Sequence, residues 1–104
     1  MKYRTDIEIL RSFFSSYFHE DWSLDASEPG AIVDRYLTSN PASEHLSRLA
    51  RSLESLAADG GSDSDIERAL FRELGCYYMP SADGLSARKW LTELALRFTR
   101  SARA

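Results

Sequence analysis

The sequence predicts an all-α fold, a compact five-helix bundle with one short extended segment near residues 76–79. Three observations lead there. Apolar residues recur with a period near 3.6 in five separate segments. Each of those segments has a recognisable cap or stop. No stretch of useful length alternates apolar and polar residues as a half-buried strand would.

Thr5-Asp6-Ile7-Glu8 matches a capping box, with Thr5 as N-cap and Glu8 reaching back. The first helix therefore starts near Asp6 and runs to about Phe18. Leu10, Phe14, Tyr17 and Phe18 fall on one stripe of it and should be buried. Five aromatics (Phe13, Phe14, Tyr17, Phe18 and Trp22) lie within ten positions. Aromatic side chains bury the most area each, so the core is expected to form around this point. His19 breaks the stripe and is placed to cap the C-terminal end of the helix. The acidic stretch that follows reads as a loop pinned by Trp22. Trp22 and Trp90 are expected to be largely buried, completing a core set with Phe14, Tyr17 and Phe18.

Ser27-Glu28-Pro29 opens the second helix, because proline is favoured at the first helical position. Ile32, Val33, Tyr36 and Leu37 form its apolar face. Asn40-Pro41 ends it and starts the third helix, with Asn40 as N-cap. That helix has the clearest period in the chain: Leu46, Leu49, Ala50, Leu53, Leu56 and Ala57. Asp59-Gly60-Gly61-Ser62 terminates it, and Gly60 can adopt the left-handed C′ conformation. Ser64-Asp65-Ile66-Glu67 reads as a second capping box and starts the fourth helix. Ile66, Ala69, Leu70 and Leu74 are its buried stripe, and Gly75 ends it. Cys76-Tyr77-Tyr78-Met79 precedes Pro80, which biases it toward an extended conformation. Ser81-Ala82-Asp83-Gly84 reads as a turn. Ser86 caps the fifth helix, whose Trp90, Leu91, Leu94, Ala95 and Phe98 point inward.

A chain of 104 residues suits one domain, spanning 1–104, with a single core. No apolar run approaches membrane length, and the first residues lack the apolar region of a signal peptide. The lone Cys76 has no partner for an internal disulfide, which fits a cytoplasmic protein. The net charge of −3 is mild but unevenly spread. His19 to Asp34 holds five acids (Glu20, Asp21, Asp25, Glu28, Asp34) with no Lys or Arg. Ser52 to Glu67 holds five more: Glu54, Asp59, Asp63, Asp65 and Glu67. The last helix reverses the sign, with Arg88, Lys89, Arg97, Arg100 and Arg103 opposed only by Glu93.

Little of this is catalytic chemistry. His19, Glu20, Asp21 and Asp25 supply one imidazole where a zinc site needs several N or S ligands, and they lack the glycine-spaced calcium pattern. Cys76 follows Gly75 and precedes two tyrosines, the setting of a small buried apolar group. No nucleophile, base and orienting group can be named together, so neither enzymatic activity nor a cofactor is expected. Gly60-Gly61 follows a helix instead of a strand and is no phosphate loop. The basic last helix could touch nucleic acid through Arg88, Lys89, Arg97 and Arg100. An acidic protein lacks the net electrostatic drive toward phosphate, however. The acidic runs by themselves read as solvated faces. The first run differs because it adjoins Trp22, and a negative patch beside aromatics suits a binder of a basic protein. Glu20, Asp21, Asp25 and Glu28 are therefore the candidate contact residues. Tyr77 or Tyr78 adds an aromatic anchor, one packing on the core and the other exposed.

These motifs carry a resemblance. Tyr17-Phe18-His19-Glu20-Asp21-Trp22, then Gly75-Cys76-Tyr77-Tyr78-x-Pro80, then Trp90-Leu91, resemble a family of small helical immunity proteins from bacterial contact-dependent growth inhibition systems. The first motif follows that family's Tyr-Phe-His-x-Asp-Trp core. The resemblance covers about Leu10 to Leu94. Ser15-Ser16 departs from it where small apolar residues would be expected, which implies different packing or exposure on that turn. The resemblance implies a cytoplasmic protein that binds and blocks the C-terminal toxin domain of a secreted effector. Such toxin domains are often nucleases, including enzymes that cut tRNA. With no apolar run of membrane length and an acidic net charge, no membrane partner and no direct contact with nucleic acid are expected.

Overall fold

The computed structural model describes residues 6–103. Among them, five α-helices of ten residues or more make up the body: α1 (Ile7–Tyr17), α3 (Pro29–Thr38), α4 (Ser43–Asp59), α5 (Asp63–Arg72) and α6 (Ala87–Arg103). The expected bundle is therefore present. It carries one addition, the four-residue helix α2 (Trp22–Asp25), where the sequence read as a loop. Trp22 N–H donates to the His19 carbonyl and Leu24 N–H to that of Asp21, so the acidic stretch coils into a tight turn. No strand occurs among the described residues.

α4 and α6, the two seventeen-residue helices, share the most extensive packing. Their buried stripes are the ones the apolar period marked: Leu46 through Ala57 on α4 and Trp90 through Phe98 on α6. α1 lays its aromatic side chains into the same core. Phe14 and Phe18 are fully buried. The centre of the aromatic cluster is Phe13, a residue the sequence stripe omitted. Its ring lies 4.9–6.0 Å from those of Phe14, Tyr17, Phe18, Tyr36 and Phe98. Tyr17 and Trp22 are partly buried against this core, so Tyr17 departs from the buried stripe and Trp22 is less enclosed than Trp90. Trp90 is buried as expected.

Several helix ends differ from the sequence reading, each for a local reason. α1 is capped by Asp6, whose Oδ1 accepts from Ile9 N–H at 3.2 Å. Thr5 lies outside the described residues. Asp6 also pairs with Arg48 and donates its N–H to Ser52 Oγ, fastening the start of α1 to α4. Asn40 does not cap α4. It sits at φ +61°, one residue past the C-cap Ser39, and so closes α3 in the left-handed conformation that asparagine tolerates. The N-cap of α4 is Ala42, with no side-chain bond. After α4 the left-handed residue is Gly61 (φ +93°), while Gly60 stays right-handed. Gly60 is needed for space: a Cβ there would lie 2.5 Å from the Leu56 carbonyl oxygen. The capping box of α5 is Ser62 with Asp65, not Ser64 with Glu67. Glu67 is drawn away to accept from both N–H and Oγ of Ser81. The fifth-helix cap holds, since Ser86 Oγ accepts from Lys89 N–H.

Candidate functional site

Residues 76–79 are extended as expected, and their alternation builds one wall of the site. An extended chain turns successive side chains to opposite sides. Cys76 and Tyr78 are buried, while Tyr77 is 43% and Met79 41% exposed. The backbone is held from two directions: Cys76 N–H donates to the Leu70 carbonyl and Tyr77 N–H to that of Phe18, each at 2.8 Å. The segment thus bridges the ends of α5 and α1. Burial pushes the Cys76 thiol up to about 12, so it is neutral and inert near neutral pH.

The tyrosine pair divides as this geometry requires. Tyr78 packs its ring on Trp90, Trp22 and Phe18, with centroids 4.9, 5.5 and 6.1 Å away. Its hydroxyl donates to Asp83 Oδ2 at 2.8 Å. Burial first, and that carboxylate second, raise the phenol above its ordinary value. Tyr77 points outward and meets Phe71 edge to face at 5.0 Å. Where Ser81–Gly84 read as a turn, Pro80–Asp83 forms a short 3-10 helix closed by Gly84 at φ +73°.

The opposite wall is the passage from α2 into α3. Trp22, Glu28 and Pro29 face Tyr77, Tyr78, Met79 and Asp83 across a groove of about 430 Å³. Residues separated by most of the chain are brought together here, including Trp22, Glu28, Tyr77 and Tyr78 of the sequence-predicted set. No Lys or Arg lines the groove. Glu20, Asp21 and Asp25 lie on and before α2, all exposed. Among the described residues the carboxylates of Glu20, Asp21 and Glu28 make no hydrogen bond or ion pair. Asp25 is engaged. His19 Nδ1 accepts from Asp21 N–H at 3.1 Å, so the ring proton sits on Nε2 and is donated to Asp25 Oδ2 at 3.0 Å. His19 therefore ties the α2 turn together and does not cap α1. Arg35 adds a bond to the Asp25 carbonyl.

Three acids of the second run, Asp63, Asp65 and Glu67, are spent on structure. Asp63 Oδ1 accepts from Ser86 Oγ and Arg88 N–H, joining α5 to α6. The Arg88 amide, then the Ser86 hydroxyl, hold its carboxyl below the usual range. Asp65 is lowered by the Ser62 amide and hydroxyl, with Arg68 beside it. The basic helix is also partly committed. Arg88 donates to the carbonyls of Ala57 and Gly61 at the end of α4, and Arg97 pairs with Asp34. Among the described residues no group of three His, Cys, Asp or Glu side chains converges as metal ligands.

Sequence reasoning missed three residues of this surface: Met79, Asp83 and Phe71. Phe71 carried a usable signal, since it is a large aromatic directly beside the buried stripe of α5 and is 44% exposed. Asp83 became visible only when the Tyr78 hydroxyl was placed. Ser15 and Ser16, the departure from the family pattern, are exposed. Ser15 lies against Gly75, where a Cβ would come within 3.0 Å.

A family model described as CdiI immunity protein matches residues 6–98. No curated relative and no solved structure matches the chain.

Proposed function

Since the chain belongs to the CdiI immunity protein family and is thus a toxin-neutralising immunity protein, we propose that it covers a basic, nucleic-acid-handling surface on its toxin domain. The toxin on this reading is a nuclease of the kind that includes enzymes cutting tRNA, carried at the C-terminus of a secreted effector and met in the cytoplasm. A nuclease must attract phosphate, so its working surface is rich in Lys and Arg. An inhibitor can occupy that surface by presenting carboxylates in place of phosphates, without chemistry of its own.

One observation carries the reading. Of the carboxylates that no cation of the described residues engages (Glu20, Asp21, Glu28), Glu28 shares a groove with Trp22 and Tyr77, and Glu20 and Asp21 directly precede Trp22 in the chain. The backbone that carries them is fastened by the His19–Asp25 bond and by Tyr77 N–H to Phe18, which limits the ordering cost of binding. Tyr77 supplies the exposed anchor and Tyr78 supports it from the core. No described helix is long and apolar enough to cross a membrane. The nucleic-acid alternative is weakened because Arg88 and Arg97, two of its four cations, are bound within the chain.

The test is titration of purified variants against the cognate toxin domain. Glu20 and Glu28 both changed to Lys should weaken binding by about 2–5 kcal/mol and slow association in a salt-dependent way. Unchanged affinity, with a large loss for Asp63 and Asp65 changed to Lys in a folded protein, would move the interface to the α4–α5 corner.

A further inference from the structure

The groove has a more specific shape than an acidic patch. Aromatic and thioether side chains (Trp22, Tyr77, Met79) line it beside smaller residues, and its two charged members are Glu28 and Asp83. Asp83 is held in place by the Tyr78 hydroxyl through Oδ2, which leaves Oδ1 to accept another donor. Trp22 and Met79 are exposed enough to be touched, and Trp22 is held in place because it packs on Phe18 and Tyr78.

We infer that this groove takes one arginine side chain of the partner protein. The argument is charge complementarity joined to shape. A planar guanidinium stacks on aromatic faces and presents donors in a rigid fork to carboxylates, whereas an ammonium offers only a point charge. An aliphatic stem would lie along Met79. A purely apolar anchor would bury Glu28 without a partner and Asp83 with only the Tyr78 hydroxyl on one oxygen, which is costly. The inference rests on the toxin-binding reading but names the residue type that enters.

The groove can be probed without the toxin. Acetyl-Gly-Arg-Gly-amide, titrated at millimolar concentration into the isotope-labelled protein, should shift the Trp22 indole N–H and the Tyr77 amide. The citrulline peptide, which keeps the shape and loses the charge, should bind about tenfold more weakly or not at all. Glu28→Gln with Asp83→Asn should remove the arginine response while the rest of the spectrum stays in place. Equal response to citrulline, or shifts confined to other surfaces, would overturn the assignment, as would no response to either peptide. The toxin domain separates the two readings. If Tyr77→Ala and Glu20→Lys weaken toxin binding while Glu28→Gln with Asp83→Asn leaves it unchanged, the interface stands and the arginine slot is wrong. If none of these variants affects toxin binding, the interface itself is elsewhere.

Discussion

The Tyr78 hydroxyl donates to Asp83 Oδ2 across 2.8 Å, so a ring of the aromatic core fixes a carboxylate at the wall of the groove. Removing that hydroxyl alone, by Tyr78→Phe, keeps the ring contacts with Trp90 and Trp22. A hydrogen bond to a charged acceptor contributes about 1.5–3 kcal/mol, and this one is only partly buried. We expect a loss of about 1–2 kcal/mol in urea denaturation. A loss near zero would mean that Asp83 is no better held than a surface side chain.

Stability should fall in alkali. Burial raises Cys76 and Tyr36 to about 12 and lifts Tyr78 further. Their ordinary values are 9.0 for the thiol and 10.0 for the phenols. Between those values and the folded ones the unfolded chain has lost protons that the native chain keeps, so stability declines with rising pH. It is fully present below about 9 and shrinks from there upward. Cys76→Ala and Tyr78→Phe together should flatten this limb in denaturant melts at a series of pH values. An unchanged slope would place the titrating groups elsewhere.

Tyr36 offers a stabilising substitution. Its hydroxyl is buried without a hydrogen-bond partner among the described residues, while its ring packs on Phe13, Tyr17 and Phe98. An unsatisfied buried polar group costs about 1–3 kcal/mol. Tyr36→Phe keeps the ring and should raise stability by about 1 kcal/mol. A decrease on thermal and urea unfolding would reveal a bond to the hydroxyl in solution.

Trp22→Ala tests the partial burial of that ring. Full burial would make the loss about 3–5 kcal/mol. With one face open to the groove, the expected loss is about 1–3 kcal/mol, and toxin affinity should fall as well. A loss at the upper figure with affinity unchanged would make Trp22 a core residue only.

The helices were legible because the apolar period is clear, and every residue marked on α4 and α6 is buried, with Ser52, Ser55 and Ala87 added. Misreadings fall where two local solutions compete. Ser62-x-x-Asp65 and Ser64-x-x-Glu67 both spell a capping box. Gly61 turns the chain directly into the first, and Ser81, distant in sequence, claims Glu67. Asn40 could cap the start of one helix or the end of another, and its positive φ serves the end. The paired tyrosines were separable in principle, since an extended chain must send one in and one out. Which one depended on Cys76 and the Phe18 carbonyl. The groove was legible only in part: Glu28 and Tyr77 were named from the sequence, but their meeting is a tertiary fact.

The last prediction separates the two acidic runs by their effect on folding. Asp63 and Asp65 have folded values below the ordinary 3.8, so each adds stability that is present above that value and lost as pH falls through the folded one. Changing both to Asn should lower stability at pH 7 and flatten the acid limb below about pH 4, because Ser62, Ser86 and the Arg88 amide then lose a charged acceptor. Glu20, Asp21 and Glu28 have no such partners among the described residues. Their combined change to Lys should alter stability at pH 7 by less than about 0.5 kcal/mol, as for most surface substitutions. The measurement is urea denaturation of both variants across pH 2–7, read beside toxin binding. A triple Lys variant that folds normally and no longer binds would assign the first run to recognition. Equal destabilisation by the two sets of changes would show instead that both runs serve the fold.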